Sequence, residues 1–369
     1  MNAPFEYVFP AIRGIQAGRE YYVSMCPLRL LPKIFLFNEE ELVPELRAQR
    51  LLNRGRLPEI ARYIVQNRES YVFSAITASV DADVRFVPSE ALGDRGLVGL
   101  LHVPMNARFI INDGQHRRAA IEAALRDAPE LADESIAVVF FHDKGLERCQ
   151  QMFADLNRYA VRPARSLSVL YDHRDDKAML AKMVIAQLPD FRGLVEMERS
   201  TLSARSRRLF TLSAIYTATG ALLANSDVED PDQRAKISTK FWAGAASQFG
   251  EWTAVREGRM TSGEVREGFI HSHGVVLHAL GIVGNAILLE GKCGRRVDWT
   301  DRLAPLADID WRRTSPVWEG RATLGGRVSK SFQNVILTGN AMKTKLGLSL
   351  GAEEKRIEDA HMRVEYAAA

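Results

Sequence analysis

The sequence predicts an α+β protein, on three observations. Strand-type runs concentrate N-terminal to His142, in short apolar and β-branched stretches. From Met179 onward the apolar residues fall mostly at helical spacing. The chain has 369 residues, 46% hydrophobic and 26% charged, enough for two domains with separate cores. No Pro-, Gly- or Ser-rich linker separates them, so closely packed domains are expected.

Each element follows from local pattern. Residues 1–35 hold short β-type runs such as Tyr21–Met25. Leu42 to Gln66 reads as helix, broken at Asn53-Arg54-Gly55-Arg56 and restarted with Pro58 in its first turn. Tyr71–Ala78 reads as a strand, and the continuous apolar run Ile136–Phe141 as a central buried one. Leu146–Leu156 is an amphipathic helix with Met152, Phe153 and Leu156 on one face. Thr211–Leu223 reads as an apolar helix, and Asn334–Leu348 as one that ends at Gly347. The most apolar stretch, Val275–Leu289, contains His278 and Asn285 and is too short to span a bilayer, so it is expected to be a buried helix.

Cys26, Cys149 and Cys293 are far apart and form no CxxC pair, which argues against a zinc ribbon. Their odd, sparse number suits a reducing compartment, and no secretory signal is legible, so a cytoplasmic location is expected. Asp172, His173 and Asp175 have metal-ligand chemistry, but that spacing is more common at a polar helix end. His271, His273 and His278 read as core or interface histidines. No metal is expected.

The densest functional signal is Phe109–Ile121. An apolar strand stops at Asn112-Asp113-Gly114, and a helix with Ala120, Ile121, Ala124 and Leu125 on one face begins after it. Asn112 and Asp113 are candidate helix caps, and Gly114 permits a sharp turn. Gln115, His116, Arg117 and Arg118 then crowd into the first turn. A helix N-terminus disfavours cations, so an anion is the natural third party.

Asp113-Gly114-Gln115-His116-Arg117 resembles the signature of the DGQHR-domain family. That family is similar to the ParB/sulfiredoxin superfamily, whose Gly-x-x-Arg box holds phosphates at a helix start. Within it the chain resembles DndB, the regulators encoded with DNA phosphorothioation enzymes. Asp155–Arg158, Ser166–Asp175, Asp308–Arg313 and Gly325–Ser331 carry the same resemblance, which runs from about residue 5 to 358.

The resemblance implies a ParB/sulfiredoxin-like α/β domain over residues 1–165 and a mainly helical DNA-binding or interaction domain over 166–369. It implies a DNA-binding transcriptional repressor of a phosphorothioation gene cluster. Asp113, Gly114, Gln115, His116, Arg117, Asn157 and Arg158 are its candidate phosphate or nucleotide contacts. No catalytic residue is assigned, and a nucleotide is the one cofactor to consider. Sulfiredoxin chemistry lacks its cysteine in this turn, and no Walker motif supplies a conventional ATP site.

DNA contacts are expected from clustered positive charge rather than from the net +3. Arg199–Phe210 holds four arginines and no acid, with Arg205, Arg207 and Arg208 at its core. Cys293–Lys345 has ten Lys or Arg residues against five acids, net +5, interleaved with Trp299, Trp311, Trp318 and Phe332. From it Arg312, Arg313, Arg327 and Lys330 are candidates, and Gly325-Gly326 could admit a phosphate to the backbone. The order of a helix with a basic start, a strand and then the Gly-x-x-Arg box also resembles ParB-like domains, and that resemblance implies that Arg54 and Arg56 could reach the ligand of Arg117. Candidate partners are double-stranded promoter DNA, phosphorothioation proteins and a second copy of the chain, with no membrane. The alternative is a DNA-acting enzyme, a nuclease or NTPase, in which Asp113 and His116 do acid–base work.

Overall fold

The structure is a computed structural model that describes residues 5–35, 54–90, 96–142, 151–156, 163–290 and 297–368, with Arg54 and 364–368 placed by backbone alone. The chain divides into two units, Met1–Val161 and Arg162–Ala369. Its fold is mixed α+β, with the described sheet strands concentrated in the first unit. Among the described residues, no helix is long and apolar enough to cross a membrane.

The first unit is built on a mixed sheet. Its strands are β1 (Glu6–Gln16), β2 (Arg19–Pro27), β3 (Ile76–Asp81), β4 (Arg85–Pro88), β5 (Val98–Pro104), β6 (Arg108–Asp113) and β7 (Ser135–His142). Among the described residues they are ordered β4-β5-β1-β2-β7-β3-β6. β7 is central, as its apolar run implied, antiparallel to β2 and parallel to β3. Its burial alternates, with Ile136, Val138 and Phe140 in the core. Helices α1 (Leu57–Gln66) and α2 (Gln115–Asp127) pack on each other and contribute Ile64, Ala120, Ile121 and Ala124 to that core.

Two expectations shift. The strand expected at Tyr71–Ala78 begins only at Ile76. The rings of Tyr71 and Phe73 pack on each other, and Phe73 packs on Tyr63 of α1. The backbone N–H of Val72 donates to the Tyr63 hydroxyl at 3.0 Å and that of Tyr71 to the Asn67 carbonyl at 2.7 Å, so neither enters a strand ladder. Residues 54–56 form a 3₁₀ turn ahead of α1, which starts with Pro58 in its first turn. The expected helices over 42–53 and 146–150 lie outside the described residues; 151–156 is helical.

The second unit is helical around α5 (Gly274–Glu290), the buried apolar stretch, which packs on α4 (Leu212–Leu222) and α6 (Phe332–Lys345). α4 and α5 approach so closely at Gly281 that a Cβ there would lie 2.1 Å from the Ala218 carbonyl oxygen. α6 ends as expected, with Gly347 at φ +67° just beyond it. Helix α3 (Asp176–Gln187) is N-capped by Asp175, whose other carboxylate oxygen accepts from Tyr216. Asp172 accepts from the N–H groups of Arg174 and Asp175, so this acidic segment is a polar helix end.

The aromatic residues interleaved with the C-terminal charges are mostly core. Trp299, Trp311 and Trp318 are buried, and Trp311 stacks on Trp318; Phe332 is exposed. His271 is fully buried: its Nδ1 accepts from the Trp252 indole at 2.9 Å and its Nε2 faces Glu251 at 3.3 Å. Burial holds its imidazole below the usual value, although Glu251 pulls the other way.

Candidate nucleic-acid interface

The signature turn sits where β6, at the sheet edge, passes into α2. Gly114 takes the N-cap position with φ +103°, a conformation that strains any side chain, and no side chain caps the helix. The expected caps are used otherwise. Asn112 is buried, and its amide donates to Ser79 Oγ at 2.7 Å. Asp113 turns to Arg117, accepting from Nη2 at 2.7 Å.

Arg117 is tied down within the first unit. Beyond Asp113, Nη1 donates to Ser74 Oγ at 2.6 Å and Nη2 to the Ala75 carbonyl at 3.1 Å. The register of β3 on β6 brings those residues near, since Thr77 pairs with Asp113 beside a bulge. Arg118 is buried and pairs with Glu122 at 2.5 Å. The first turn still carries no acid, and Gln115 Oε1 is buried without a hydrogen-bond partner. Burial lowers the His116 pKa, and the charges of Arg56 and Arg117 lower it further. Arg56 is therefore near enough for its charge to act on His116. Arg54 is placed by backbone alone, and Asn157 and Arg158 lie outside the described residues.

In the second unit the candidate cations differ in what holds them. Arg312 is exposed but forms a two-pronged ion pair with Asp310, both contacts 2.8 Å. Arg208 donates to the Gly193 carbonyl. Arg313 donates from Nε to the Gly326 carbonyl at 2.9 Å. The N–H groups of Gly325 and Gly326, expected to be open to a phosphate, donate to the Glu319 carboxylate instead. Arg205, Arg207 and Arg327 are exposed, with no side-chain hydrogen bond or ion pair among the described residues. Arg313 and Lys330 line one pocket with Ser200–Ala204, so the two basic segments meet.

Sequence reasoning missed Arg266, which organises this region. Its guanidinium donates to the carbonyls of Ser203, Ala204, Ser206 and Arg208 and so holds the 203–208 loop. Burial lowers its pKa. Nothing local signals this role, because Glu264-Val265-Arg266-Glu267 reads as an ordinary polar helix.

The chain is thus a mixed α+β protein with cationic side chains gathered at a turn in one unit and on loops of the other. The DndB family model, described as DNA-sulfur modification-associated, matches residues 9–349, nearly the whole length. The chain belongs to the DndB family. No curated protein and no solved structure matches it.

Proposed function

We propose that the chain is a DNA-binding transcriptional repressor of a DNA phosphorothioation gene cluster, seated on duplex promoter DNA by its second unit and working in the cytoplasm beside the modification enzymes. Membership of a DNA-sulfur modification-associated family supports the system. The observation that carries DNA binding is the set of exposed arginines Arg205, Arg207 and Arg327, which have no ion-pair partner among the described residues. A guanidinium with no carboxylate partner keeps its full charge for a phosphate.

Salt titration tests this. Each phosphate neutralised contributes a slope of about −0.9 in log affinity against log salt. The double substitution Arg205→Ala, Arg207→Ala is expected to flatten the slope by up to about two units. Arg312→Ala is expected to flatten it less, because Asp310 already neutralises that charge. An unchanged slope in the double variant, with unchanged sequence preference, would remove this surface from the reading.

A second reading, a nucleotide-using or DNA-cleaving enzyme, is favoured by His116, whose pKa burial lowers, in a helix first turn that carries no acid. It requires nucleotide turnover or metal-dependent nicking that vanishes in His116→Ala.

A further inference from the structure

A pocket of about 630 Å³ lies in the second unit, with walls from the 200–214 segment, the start of α5 and the segments carrying Arg313 and Lys330. Arg266, Arg313 and Lys330 line it against one lining carboxylate, Glu267. Among the described residues none of these three cations has a carboxylate within ion-pair distance.

Lys330 has the least favourable surroundings. Its side chain is only partly covered, yet a Cβ on Gly274 would lie 3.1 Å from its Nζ. Gly274 begins a 17-residue helix with no acid in its first turn. The positive end of a helix macrodipole repels an ammonium group, and the N–H groups of a first turn have no intrahelical partner. Burial by the surrounding protein lowers the Lys330 pKa, and the charge of Arg165 lowers it further. Ser272, two residues before the helix, also lines the pocket. It is 4% exposed, and its Oγ has no hydrogen-bond partner.

Guanidinium, ammonium, hydroxyl and helix N–H groups converge on one chemical class, a tetrahedral oxyanion that accepts from all four. We infer that this pocket binds the phosphomonoester end of a small molecule. The buried position of Ser272 and the first turn of α5 suits the end of a molecule. A phosphodiester in continuous duplex has two of its four oxygens esterified and offers only two to such donors, whereas a terminal phosphomonoester offers three. The volume is that of a small-molecule site. Phe210 and Leu202 give it an apolar wall for the rest of the ligand. This goes beyond promoter binding, which uses the exposed Arg205, Arg207 and Arg327.

The test is calorimetric titration of the full chain with inorganic phosphate and AMP, with adenosine as control, combined with amide hydrogen exchange. Phosphate and AMP are expected to bind and adenosine not to. Lys330→Ala, checked by circular dichroism for folding, is expected to weaken both by about tenfold or more, the size of one charge-assisted hydrogen bond. Bound phosphate is expected to slow exchange in the 272–276 amides. Three results would overturn the inference: no binding of either probe at millimolar concentration, protection at 114–118 instead, or displacement of phosphate by short duplex DNA. None of them bears on the salt slope of the Arg205 and Arg207 variant, so the two readings fail separately.

Discussion

Trp252→Ala is expected to destabilise the second unit by about 3–5 kcal/mol, the cost of deleting a large buried aromatic side chain. Trp252 is fully buried and packs against Phe191, Phe210 and Phe249. Its indole N–H also donates to His271 Nδ1, so truncation leaves a buried acceptor without its donor. His271 directly precedes Ser272 and the start of α5, so the damage reaches the pocket. Phe210, against which the Trp252 ring lies at 4.8 Å, lines that pocket too. Trp252→Phe keeps most of the area and loses the hydrogen bond, and should fall between wild type and Trp252→Ala. Denaturant unfolding measures both. A loss below about 1 kcal/mol for Trp252→Ala would mean the site collapses around the cavity and that this cluster does not hold the unit together.

Arg117→Ala is expected to destabilise the first unit by about 1.5–3 kcal/mol, the range for hydrogen bonds to a charged group. The side chain is 21% exposed, and it joins Asp113, Ser74 and the Ala75 carbonyl. Asp113 is half exposed, so the ion pair itself contributes little, and the contacts to Ser74 and Ala75 supply most of the effect. Arg117→Lys should not restore stability, because one ammonium cannot reproduce the guanidinium fork. Thermal unfolding of both variants measures this. An unchanged melting temperature with lost affinity for phosphate or DNA would instead make Arg117 a ligand contact.

The two arginines at 312 and 313 show where sequence reading stops. Both sit in a basic stretch, but Asp310, two residues away, takes Arg312, while Arg313 lines the pocket. Charge counting treats them alike, and only the backbone direction separates them. Asp113 is similar: the chemistry that suits it to a helix cap also suits it to Arg117, and the β3–β6 register places Ser74 and Ala75 to favour the second. Lys330 against Gly274 joins two segments remote in sequence, so no local pattern announces it. Long periodic signals fared better. Ile136–Phe141 became the central strand and Val275–Leu289 the buried helix, because burial of a continuous apolar run leaves few alternatives. The Tyr71–Ala78 strand was overextended because Tyr71 and Phe73 suit a strand by propensity, whereas Phe73 packs against Tyr63 and Tyr71 against Phe73.

Promoter selectivity tests the central claim most directly. Footprinting and affinity are measured at physiological salt on duplex DNA from upstream of the protein's own gene. A scrambled duplex of the same composition serves as reference. A specific repressor should bind its own upstream duplex tighter by about 10³ or more and protect a defined stretch overlapping the promoter. Equal affinity for the two duplexes with no protected stretch, or no binding to either, would contradict it.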